Sequence, residues 1–290
     1  MPELPEVETT VRGLKSRVLN RTFVDTWTDF QKMIKRPGNF AEFKKGILGK
    51  KIKNVKRRAK NILIELSGGK ILLIHQKMTG HLLAGNWKRA GNKWISLKEG
   101  PLSDPTNSFI HLMFRLDKDM LALSDMRKFA KIELWDKKEL EISEEFKKIG
   151  PEPLDKSFNF EKFKIALRGK NGKIKQVLMD QNVIAGIGNI YSDEILFRAR
   201  VHPVKSVYKL EEGELKNIYR EIKTVLPKAV ELEGESFSDF RKVDGSKGFF
   251  DKERKVYRRE GENCPVCGNM IKRIKIGGRS AHFCPSCQKL

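Results

Sequence analysis

Four cysteines near the end of the chain have the spacing of metal ligands. Cys264 and Cys267 form one Cys-x-x-Cys pair, Cys284 and Cys287 form a second, and 16 residues separate the two pairs. This pattern is typical of a tetrahedral zinc site with four thiolate ligands, and two disulfides or free thiols are the alternative. Because every cysteine of the chain lies in this segment, no disulfide can link the remainder. We expect one structural Zn²⁺ ion.

The residues between the two cysteine pairs predict a β-hairpin. Apolar and basic residues alternate from Met270 to Ile276, Gly277-Gly278 supplies a turn, and Ser280 to Phe283 runs back. Such a hairpin brings both cysteine pairs to one ion. Arg279 then falls at the hairpin tip, where a solvated turn residue is the simplest interpretation.

The first residues of the chain contain a second group that could do chemistry. An amphipathic helix is predicted from Pro5 to Leu19, which leaves Pro2 and Glu3 upstream of it. Proline and glutamate are also common at helix starts, so this pair alone does not require a function. If Met1 is removed, however, Pro2 becomes an N-terminal secondary amine.

An N-terminal amine has a pKa of about 8, so a useful fraction is unprotonated near neutral pH. Attack of this amine on carbon C1′ of a sugar, followed by ring opening, gives an iminium that favours elimination of a 3′ phosphate. Glu3 stands beside the amine and can donate the proton that such a step requires. Pro2 and Glu3 are therefore candidates for a nucleophile and its acid.

Composition and charge restrict the class of partner. The chain has 290 residues with a formal net charge of +22, and both signs are spread along its length. This excess of positive charge indicates binding to a phosphate backbone. An anionic membrane is the alternative, but neither a membrane span nor a signal peptide is recognisable. We therefore expect a cytoplasmic protein that binds nucleic acid and has no membrane partner.

The elements that must position these groups fall into two kinds. Seven strand-like runs follow the first helix, which predicts a two-layer antiparallel β domain: TFVDTW, KKIKNVKRR, NILIELS, KILLIHQ, SFIHLMFRL, MLALSD and KIELWD. Four later segments have the apolar spacing of helices: FEKFKIALRG, KIKQVLMDQ, NIYSDEILFRARV and EGELKNIYREIKTVLPKAVEL. The fold class expected is α+β.

The chain divides into five predicted segments. They are a β-sandwich domain at 1–135, an interdomain linker at 136–155 containing Gly150-Pro151-Glu152-Pro153, a helical domain at 156–235, a loop and connector at 236–262, and the zinc hairpin at 263–290. Between two of the predicted helices, Gly186–Asn189 reads GIGN. This turn can present backbone N–H groups to a phosphate, although a simple interhelical turn is the alternative.

Taken together, these motifs resemble bacterial formamidopyrimidine-DNA glycosylases, which remove oxidised purines such as 8-oxoguanine and cut the DNA strand. The resemblance rests on MPELPEVET at the start, RRAK at Arg57–Lys60, GIGNIYSDE at Gly186–Glu194 and the terminal zinc hairpin. It covers essentially the whole chain in the same order. It implies a β-sandwich with a helix, a helix–two-turns–helix domain and a zinc finger, in a monomer that acts on damaged duplex DNA in the bacterial nucleoid.

The resemblance also implies roles for individual residues. The catalytic set comprises the nucleophile Pro2, the proton donor Glu3, Lys60 and, beside the lesion phosphate, Arg279. A DNA-binding set fills the gap left by an extruded base and binds phosphates: Met78, Arg127, Phe129, Asn189 and Arg279. Lesion recognition is assigned to Glu6, Ser236 and Phe237. Without the resemblance, Lys60 reads as a solvated charge at a strand edge, and Met78 and Phe129 read as core residues.

Two other functions remain open from the sequence. The first is an endonuclease VIII-like glycosylase for oxidised pyrimidines, and the second is a non-catalytic protein that binds damaged DNA. The chain also departs from the usual family pattern at Gln76, at Ala130, at 106–109 and at 233–236, where EGES replaces a Gly-Gly-Thr/Ser-Thr stretch. We expect these departures to affect void filling and lesion preference rather than Pro2, Glu3 or Lys60.

Overall fold

The computed structural model describes residues 1–236 and 240–290, which form two compact units. Unit 1 comprises Met1–Lys147 and Leu232–Asp251, and unit 2 comprises Lys148–Glu231 and Lys252–Leu290. The chain therefore leaves unit 1, builds most of unit 2, returns to unit 1 and then finishes in unit 2. The predicted linker at 136–155 contains two short helices, and the five-part division stays a prediction.

Unit 1 is a two-layer β-sandwich with several helices. Its helices are α1 (Leu4–Val18), α2 (Phe40–Ile47), α3 (Lys137–Ile142) and α4 (Glu144–Lys147). Its strands are β1 (Phe23–Thr28), β2 (Ile34–Arg36), β3 (Ile52–Arg58), β4 (Asn61–Leu66), β5 (Lys70–His75), β6 (His81–Gly85), β7 (Trp87–Ala90), β8 (Lys93–Ser96), β9 (Ile110–Leu116), β10 (Met120–Ser124) and β11 (Lys131–Asp136).

The two layers are a sheet in the order β1-β9-β10-β6 and a sheet in the order β2-β11-β5-β4-β3. The apolar core between the layers contains residues of both sheets and the apolar face of α1, for example Val11, Phe114 and Leu72. The seven predicted strands are all present, and the predicted α+β sandwich is confirmed. One pair differs from the antiparallel prediction, because β2 runs parallel to β11.

Sequence patterns missed some elements of unit 1, including α2 and strands β2, β6, β7 and β8. For α2 a signal was available, since the Asn39 side chain accepts hydrogen bonds from the backbone N–H groups of Ala41 and Glu42. An asparagine in this position is a preferred helix N-cap. The strands β7 and β8 form a separate two-stranded hairpin. Both strands are short and carry few apolar residues, so a search for long apolar runs does not find them.

Unit 2 contains the four predicted helices and the predicted hairpin. The helices are α5 (Phe160–Leu167), α6 (Ile174–Met179), α7 (Asn189–Arg198) and α8 (Glu212–Glu231), and the hairpin strands are β12 (Lys272–Ile276) and β13 (Arg279–Phe283). In the described part of the chain, no helix combines the length and apolar character needed to cross a membrane.

Buried charges join the hairpin of unit 2 to its helices. Asp193, fully buried in α7, accepts hydrogen bonds from the backbone N–H of His282 at 3.0 Å and pairs with Lys175 Nζ at 2.5 Å. Its neighbour Glu194 accepts three backbone N–H bonds from residues 255–257, at 2.8 to 3.0 Å. Because buried carboxylates are costly unless they are bonded, these contacts fix where β13 and the connector lie on α7.

Gln76 leads to a prediction about stability. This residue is 1% exposed, and neither its amide oxygen nor its amide nitrogen has a hydrogen-bond partner among residues 1–236 and 240–290. We expect Gln76→Leu to raise the free energy of unfolding by about 1–3 kcal/mol, the cost of leaving a buried polar group unpaired. Urea unfolding followed by circular dichroism measures this change.

Gln181→Leu is the matched control for this substitution. The Gln181 amide is satisfied by three bonds, to the carbonyls of Met179 and Ile187 and from the N–H of Gly186. The same change there should therefore lower stability. A loss of stability in Gln76→Leu comparable to that of the control would show that the Gln76 amide is satisfied in solution.

Candidate functional site

The N-terminus of α1 leaves Pro2 and Glu3 outside the regular helix. The helix begins at Leu4, and Glu3 is its N-cap residue in an extended conformation. Both Pro2 and Glu3 are buried, Glu3 being 1% exposed. The backbone N–H of Glu3 donates to Glu6 Oε2 at 2.8 Å, one half of a capping box. The residue that follows Pro2 is thus held by the first turn of the helix.

The second oxygen of Glu6 holds a different segment of unit 1. Glu6 Oε1 accepts a hydrogen bond from the backbone N–H of Glu235 at 2.8 Å. Gly234 precedes this contact with a φ of +82°, and a Cβ there would lie only 2.8 Å from Glu6 Oε1. Only glycine suits this conformation and this close approach. The buried Glu6 carboxylate therefore joins the start of the chain to the segment at 233–236.

The segment at 233–236 is well anchored within unit 1. Ser236 Oγ accepts a hydrogen bond from the N–H of Gly248 at 2.8 Å, and Glu233 pairs with Lys242 at 2.5 Å. Ser236 and Glu235 are 5% and 6% exposed. One of the two carboxylates that depart from the family pattern is thus in an ion pair and the other is buried. Phe237, the third predicted recognition residue, lies outside the described residues.

Lys60 lies in the tight turn between β3 and β4. Arg58 pairs with Asn61, so Ala59 and Lys60 are the only two turn residues, and Ala59 has a φ of +52°. Lys60 is 6% exposed. The interpretation of Lys60 as a solvated strand-edge charge is therefore wrong.

A salt bridge fixes this turn to α1. Arg57 Nη1 donates to the carbonyl of Ala59 at 3.1 Å, while Arg57 Nε donates to Glu8 Oε2 at 3.0 Å. The Arg57 side chain is 7% exposed, so the contact is largely shielded from solvent. The turn that carries Lys60 is thereby connected to the helix that begins beside Pro2 and Glu3.

His75 is a neighbour of this turn that sequence reasoning missed. It ends β5 and pairs with Asn61 across the sheet. Burial, with the positive charges of Lys77, Lys60 and Lys131, lowers the pKa of His75 to about 3. Its Nδ1 accepts the N–H of Lys77 at 3.0 Å, so the neutral ring carries its proton on Nε2 and presents a donor there. The one sequence feature that could have pointed to His75 is its position three residues before Met78.

The three predicted void-filling residues are outside the core. Arg127 and Phe129 are exposed, Phe129 by 52%, and Met78 is partly buried. The Arg127 guanidinium lies 4.7 Å from the centroid of the Phe129 ring. The interpretation of Phe129 as a core residue is therefore wrong. An exposed phenylalanine stacked by an arginine is available to a partner.

In unit 2, the N-terminus of α7 is a candidate phosphate site. Its N-cap is Gly188, whose lack of a side chain lets an anion approach the start of the helix closely. Asn189 is the first residue of the helix, and its buried Oδ1 has no hydrogen-bond partner among the described residues. Gln181, which sequence reasoning also missed, closes the two turns before α7 with its three bonds. These bonds thus hold the backbone of the GIGN turn in place.

Arg279 begins β13 and is exposed at the tip of the zinc hairpin. Gly277 and Gly278 form the two-residue turn, with φ of +52° and +77°. A Cβ on Gly277 would lie 2.2 Å from Gln176 Nε2, so the hairpin tip packs directly against α6. The backbone that carries Arg279 is therefore supported by a helix.

The four cysteine sulfurs fit one tetrahedral ion. All four Sγ atoms lie within 4.8 Å of one another, with Cys264–Cys287 at 3.8 Å and Cys267–Cys284 at 3.4 Å. Zn–S bonds of about 2.3 Å in a tetrahedron place sulfurs about 3.8 Å apart. None of the four cysteines forms a disulfide. Cys264, Cys267, Cys284 and Cys287 are the ligands of one structural zinc ion.

The departure at 106–109 is a packing feature of unit 1. Asn107 is 1% exposed, and its Nδ2 donates to the carbonyls of Pro101 and Gly245 at 2.7 and 3.2 Å. Thr106 Oγ1 accepts a bond from Arg241 Nη2 at 3.1 Å. The segment thus holds the part of the chain that follows the undescribed residues 237–239.

Family models and known proteins are similar to this chain over most or all of its length. Family models match three ranges: the formamidopyrimidine-DNA glycosylase N-terminal domain at 1–132, the formamidopyrimidine-DNA glycosylase H2TH domain at 149–241, and a zinc finger found in FPG and IleRS at 261–290. A formamidopyrimidine-DNA glycosylase from Pelotomaculum thermopropionicum is 38% identical over the full length of both chains.

Two solved structures of Lactococcus lactis Fpg are similar to this chain at 33% identity. One is a complex with DNA containing an abasic site, with a TM-score of 0.87 over 99% of this chain and 100% of that one. The other is a complex with DNA containing an oxidised pyrimidine, with a TM-score of 0.86 over 100% of both chains.

The zinc site leads to a prediction. Cys267→Ser removes one of four thiolates, so we expect the protein to lose its zinc and, because the hairpin depends on the ion, to lose duplex affinity at least about tenfold. Elemental analysis and fluorescence anisotropy measure the two losses. Ser286→Ala, a change within the second cysteine pair that removes no ligand, is the control. Full zinc content in Cys267→Ser would refute the four-thiolate site.

Proposed function

The chain belongs to the formamidopyrimidine-DNA glycosylase family, and from that premise we propose that it excises oxidised purines with Pro2 as the nucleophile. It is a DNA glycosylase of base excision repair that acts on damaged DNA and has the abasic-site lyase activity of the family. The observation that carries the proposed mechanism is the helix start. Because α1 begins at Leu4 and Glu3 is its N-cap, Pro2 lies outside the helix and its nitrogen has no part in the hydrogen bonds of the helix.

The proposed reaction begins after Met1 has been removed. The Pro2 nitrogen attacks C1′ of the damaged nucleotide, and the bond from C1′ to the base breaks, so that the base leaves with a proton. Glu3 donates a proton to the ring oxygen O4′ as the ring opens, which leaves an iminium between Pro2 and C1′. Loss of a C2′ proton then allows elimination of the 3′ phosphate, and a second elimination releases the 5′ phosphate. Water returns Pro2 to its free state.

Lys60 supports this chemistry as a buried cation. Its mount is the two-residue turn fixed to α1 by Arg57 and Glu8, which supports a role close to the start of that helix. We assign it the phosphate next to the lesion, or the proton of the leaving group. Either role needs a cation whose position is fixed, as preorganised charge costs no rearrangement during reaction.

The proposed grip on DNA uses Asn189 and Arg279 for phosphates. An amide at the first residue of a helix whose N-cap is glycine suits an anion, and an exposed arginine beside a tight turn suits a phosphate oxygen. The base pairs themselves are opened at another place. Met78, Arg127 and Phe129 would fill the gap when the damaged nucleotide turns out of the stack.

Lesion recognition is assigned to Glu6, Ser236 and Phe237. The contact of Glu6 with Glu235 supports this assignment, since it places the segment at 233–236 against the first turn of α1. The net charge of +22 supports duplex DNA as the partner. We propose that one chain acts as a monomer on the DNA of the bacterial nucleoid, since it supplies the whole residue set.

A second substrate class has specific support. A similar structure contains DNA with an oxidised pyrimidine, so the Lactococcus lactis protein accommodates such a lesion. We propose oxidised purines, 8-oxoguanine and formamidopyrimidines, as the principal substrates, and oxidised pyrimidines as the alternative. A non-catalytic protein that binds damaged DNA would leave Pro2, Glu3 and Lys60 without a purpose.

Borohydride trapping on a duplex with 8-oxoguanine opposite cytosine, with mass spectrometry of the cross-linked peptide, tests this proposal. A cross-link on Pro2 would establish Met1 removal, the iminium and the purine substrate together. A cross-link only on abasic or oxidised-pyrimidine duplexes would keep the chemistry and change the preference. No cross-link on any duplex would overturn the mechanism.

The nucleophile assignment predicts the behaviour of Pro2→Gly. Glycine keeps an amine but changes its reactivity and geometry, so we expect single-turnover excision to slow on the order of 100-fold, while duplex affinity stays within about twofold. Pro5→Ala, a change inside the first turn of the helix, is the control and should retain activity. Undiminished turnover in Pro2→Gly would exclude Pro2 as the nucleophile.

The phosphate assignment predicts the behaviour of Arg279→Ala. Loss of one phosphate contact should weaken binding to all duplex sequences to a similar degree and lower the dependence of log K on log salt by about one unit. Arg273→Ala is the control, because Arg273 lies on the same hairpin but pairs with Glu260 at 3.2 Å. Equal salt slopes for Arg279→Ala and the unmodified protein would contradict the contact.

A further inference from the structure

Two loops of unit 1 carry the three residues assigned to void filling. The first loop joins β5 to β6 and carries Met78, and the second joins β10 to β11 and carries Arg127 and Phe129. Since these side chains are exposed or only partly buried, their own packing does not fix their positions. Something else must hold the two loops in register.

The contacts between the loops converge on one carboxylate. Asp125 is fully buried. Its Oδ1 accepts the hydroxyl hydrogen of Thr79, and its Oδ2 accepts the N–H of Ala130 at 2.8 Å. Thr79 is the residue after Met78, and Ala130 is the residue after Phe129. One oxygen of Asp125 thus holds the side chain of the residue after Met78, and the other holds the backbone of the residue after Phe129.

The Thr79 hydroxyl also reaches the third residue of the set. While donating to Asp125, Thr79 Oγ1 accepts the backbone N–H of Arg127 at 3.0 Å. A hydroxyl has one hydrogen and can accept as well, so this single group uses both capacities to connect the loops. Thr79 is 6% exposed, which keeps water from competing for these bonds.

The backbone of both loops requires such support. Lys77 and Lys128, which immediately precede Met78 and Phe129, have φ of +56° and +58°. Side chains with a Cβ seldom adopt this left-handed conformation, and it persists only where the surroundings hold it. The main chain of Asp125 adds to this support, because its carbonyl accepts the N–H of Lys128 at 3.0 Å and its N–H donates to Phe109 at 2.8 Å.

We propose that Asp125 and Thr79 are positioning residues that hold Met78, Arg127 and Phe129 as one unit, so that the three enter the base stack together. This inference rests on the proposed function, in which those three residues replace the extruded nucleotide. Asp125 and Thr79 are themselves buried and bonded within the two loops, so we assign them no contact with the reacting atoms or the base. They should therefore matter for opening the stack and not for the chemistry at C1′.

Thr79→Val tests the proposal because valine keeps the shape of threonine and removes the hydroxyl. We expect single-turnover excision of 8-oxoguanine opposite cytosine to slow about tenfold to hundredfold, the effect of two lost hydrogen bonds. Strand cleavage at an abasic site in single-stranded DNA, where no stack must be opened, should stay within about twofold. Fluorescence of 2-aminopurine beside the lesion should rise more slowly, by the same factor as excision.

Three further variants make the result specific. Thr79→Ser restores the hydroxyl and should restore excision, whereas Asp125→Asn, which keeps the volume but loses an acceptor, should repeat the effect of Thr79→Val. Thr26→Val removes another buried hydroxyl of the sandwich, bonded to Met113 at 3.1 Å, and should leave both activities unchanged.

The outcomes separate this inference from the proposed function. Equal losses of excision and single-strand cleavage in Thr79→Val, or no loss in either Thr79→Val or Asp125→Asn, would overturn the positioning role while the unmodified enzyme remained active. If the unmodified enzyme neither excises 8-oxoguanine nor cleaves abasic DNA, the proposed function fails, and this inference fails with it.

Discussion

The buried carboxylate of Glu6 is the constraint on which the candidate active site depends. A carboxylate that is 1% exposed must have hydrogen-bond donors, and the backbone N–H groups of Glu3 and Glu235 donate to it. Satisfying this one charge therefore brings the N-cap of α1 together with a segment more than 200 residues later in the chain. The glycine at 234 follows from the same requirement, since any side chain there would collide with the carboxylate.

Strained turns are a second common feature of the site. Lys60, Met78 and Phe129 each directly follow a residue other than glycine with positive φ: Ala59, Lys77 and Lys128. Each turn is held by a nearby side chain, from the end of the preceding strand or just after it, namely Arg57 at the first turn, His75 at the second and Asp125 at the third. Such conformations cost about 1–3 kcal/mol and persist only when the surroundings determine them. The sandwich thus serves as a rigid support for side chains on its turns.

In unit 2, buried charges and the zinc ligands hold the loops and the hairpin in position. Asp193 and Glu194 use their carboxylates to bind His282 and the backbone at 255–257, which places the connector and β13 on α7. The thiolates fix the base of the hairpin, and the contact of Gly277 with Gln176 braces its tip. Arg279 is therefore supported from two directions, although its own side chain is exposed. This arrangement suits a contact that must meet a phosphate without first paying for loop ordering.

The sequence by itself determined what depends on local spacing. Residues close together in the chain were enough to predict the four zinc ligands, the first helix with Pro2 upstream, seven strands, four helices and the family. Periodicity and turn residues act directly over such short distances. Only the tertiary structure decided which of these side chains are buried and which contact one another. Lys60 is buried and Phe129 is exposed, against the simplest interpretation of each, and nothing local links Glu6 to Glu235 or Asp125 to Thr79. Burial and partnership arise when distant strands and loops pack together, and a local pattern contains no information on that packing.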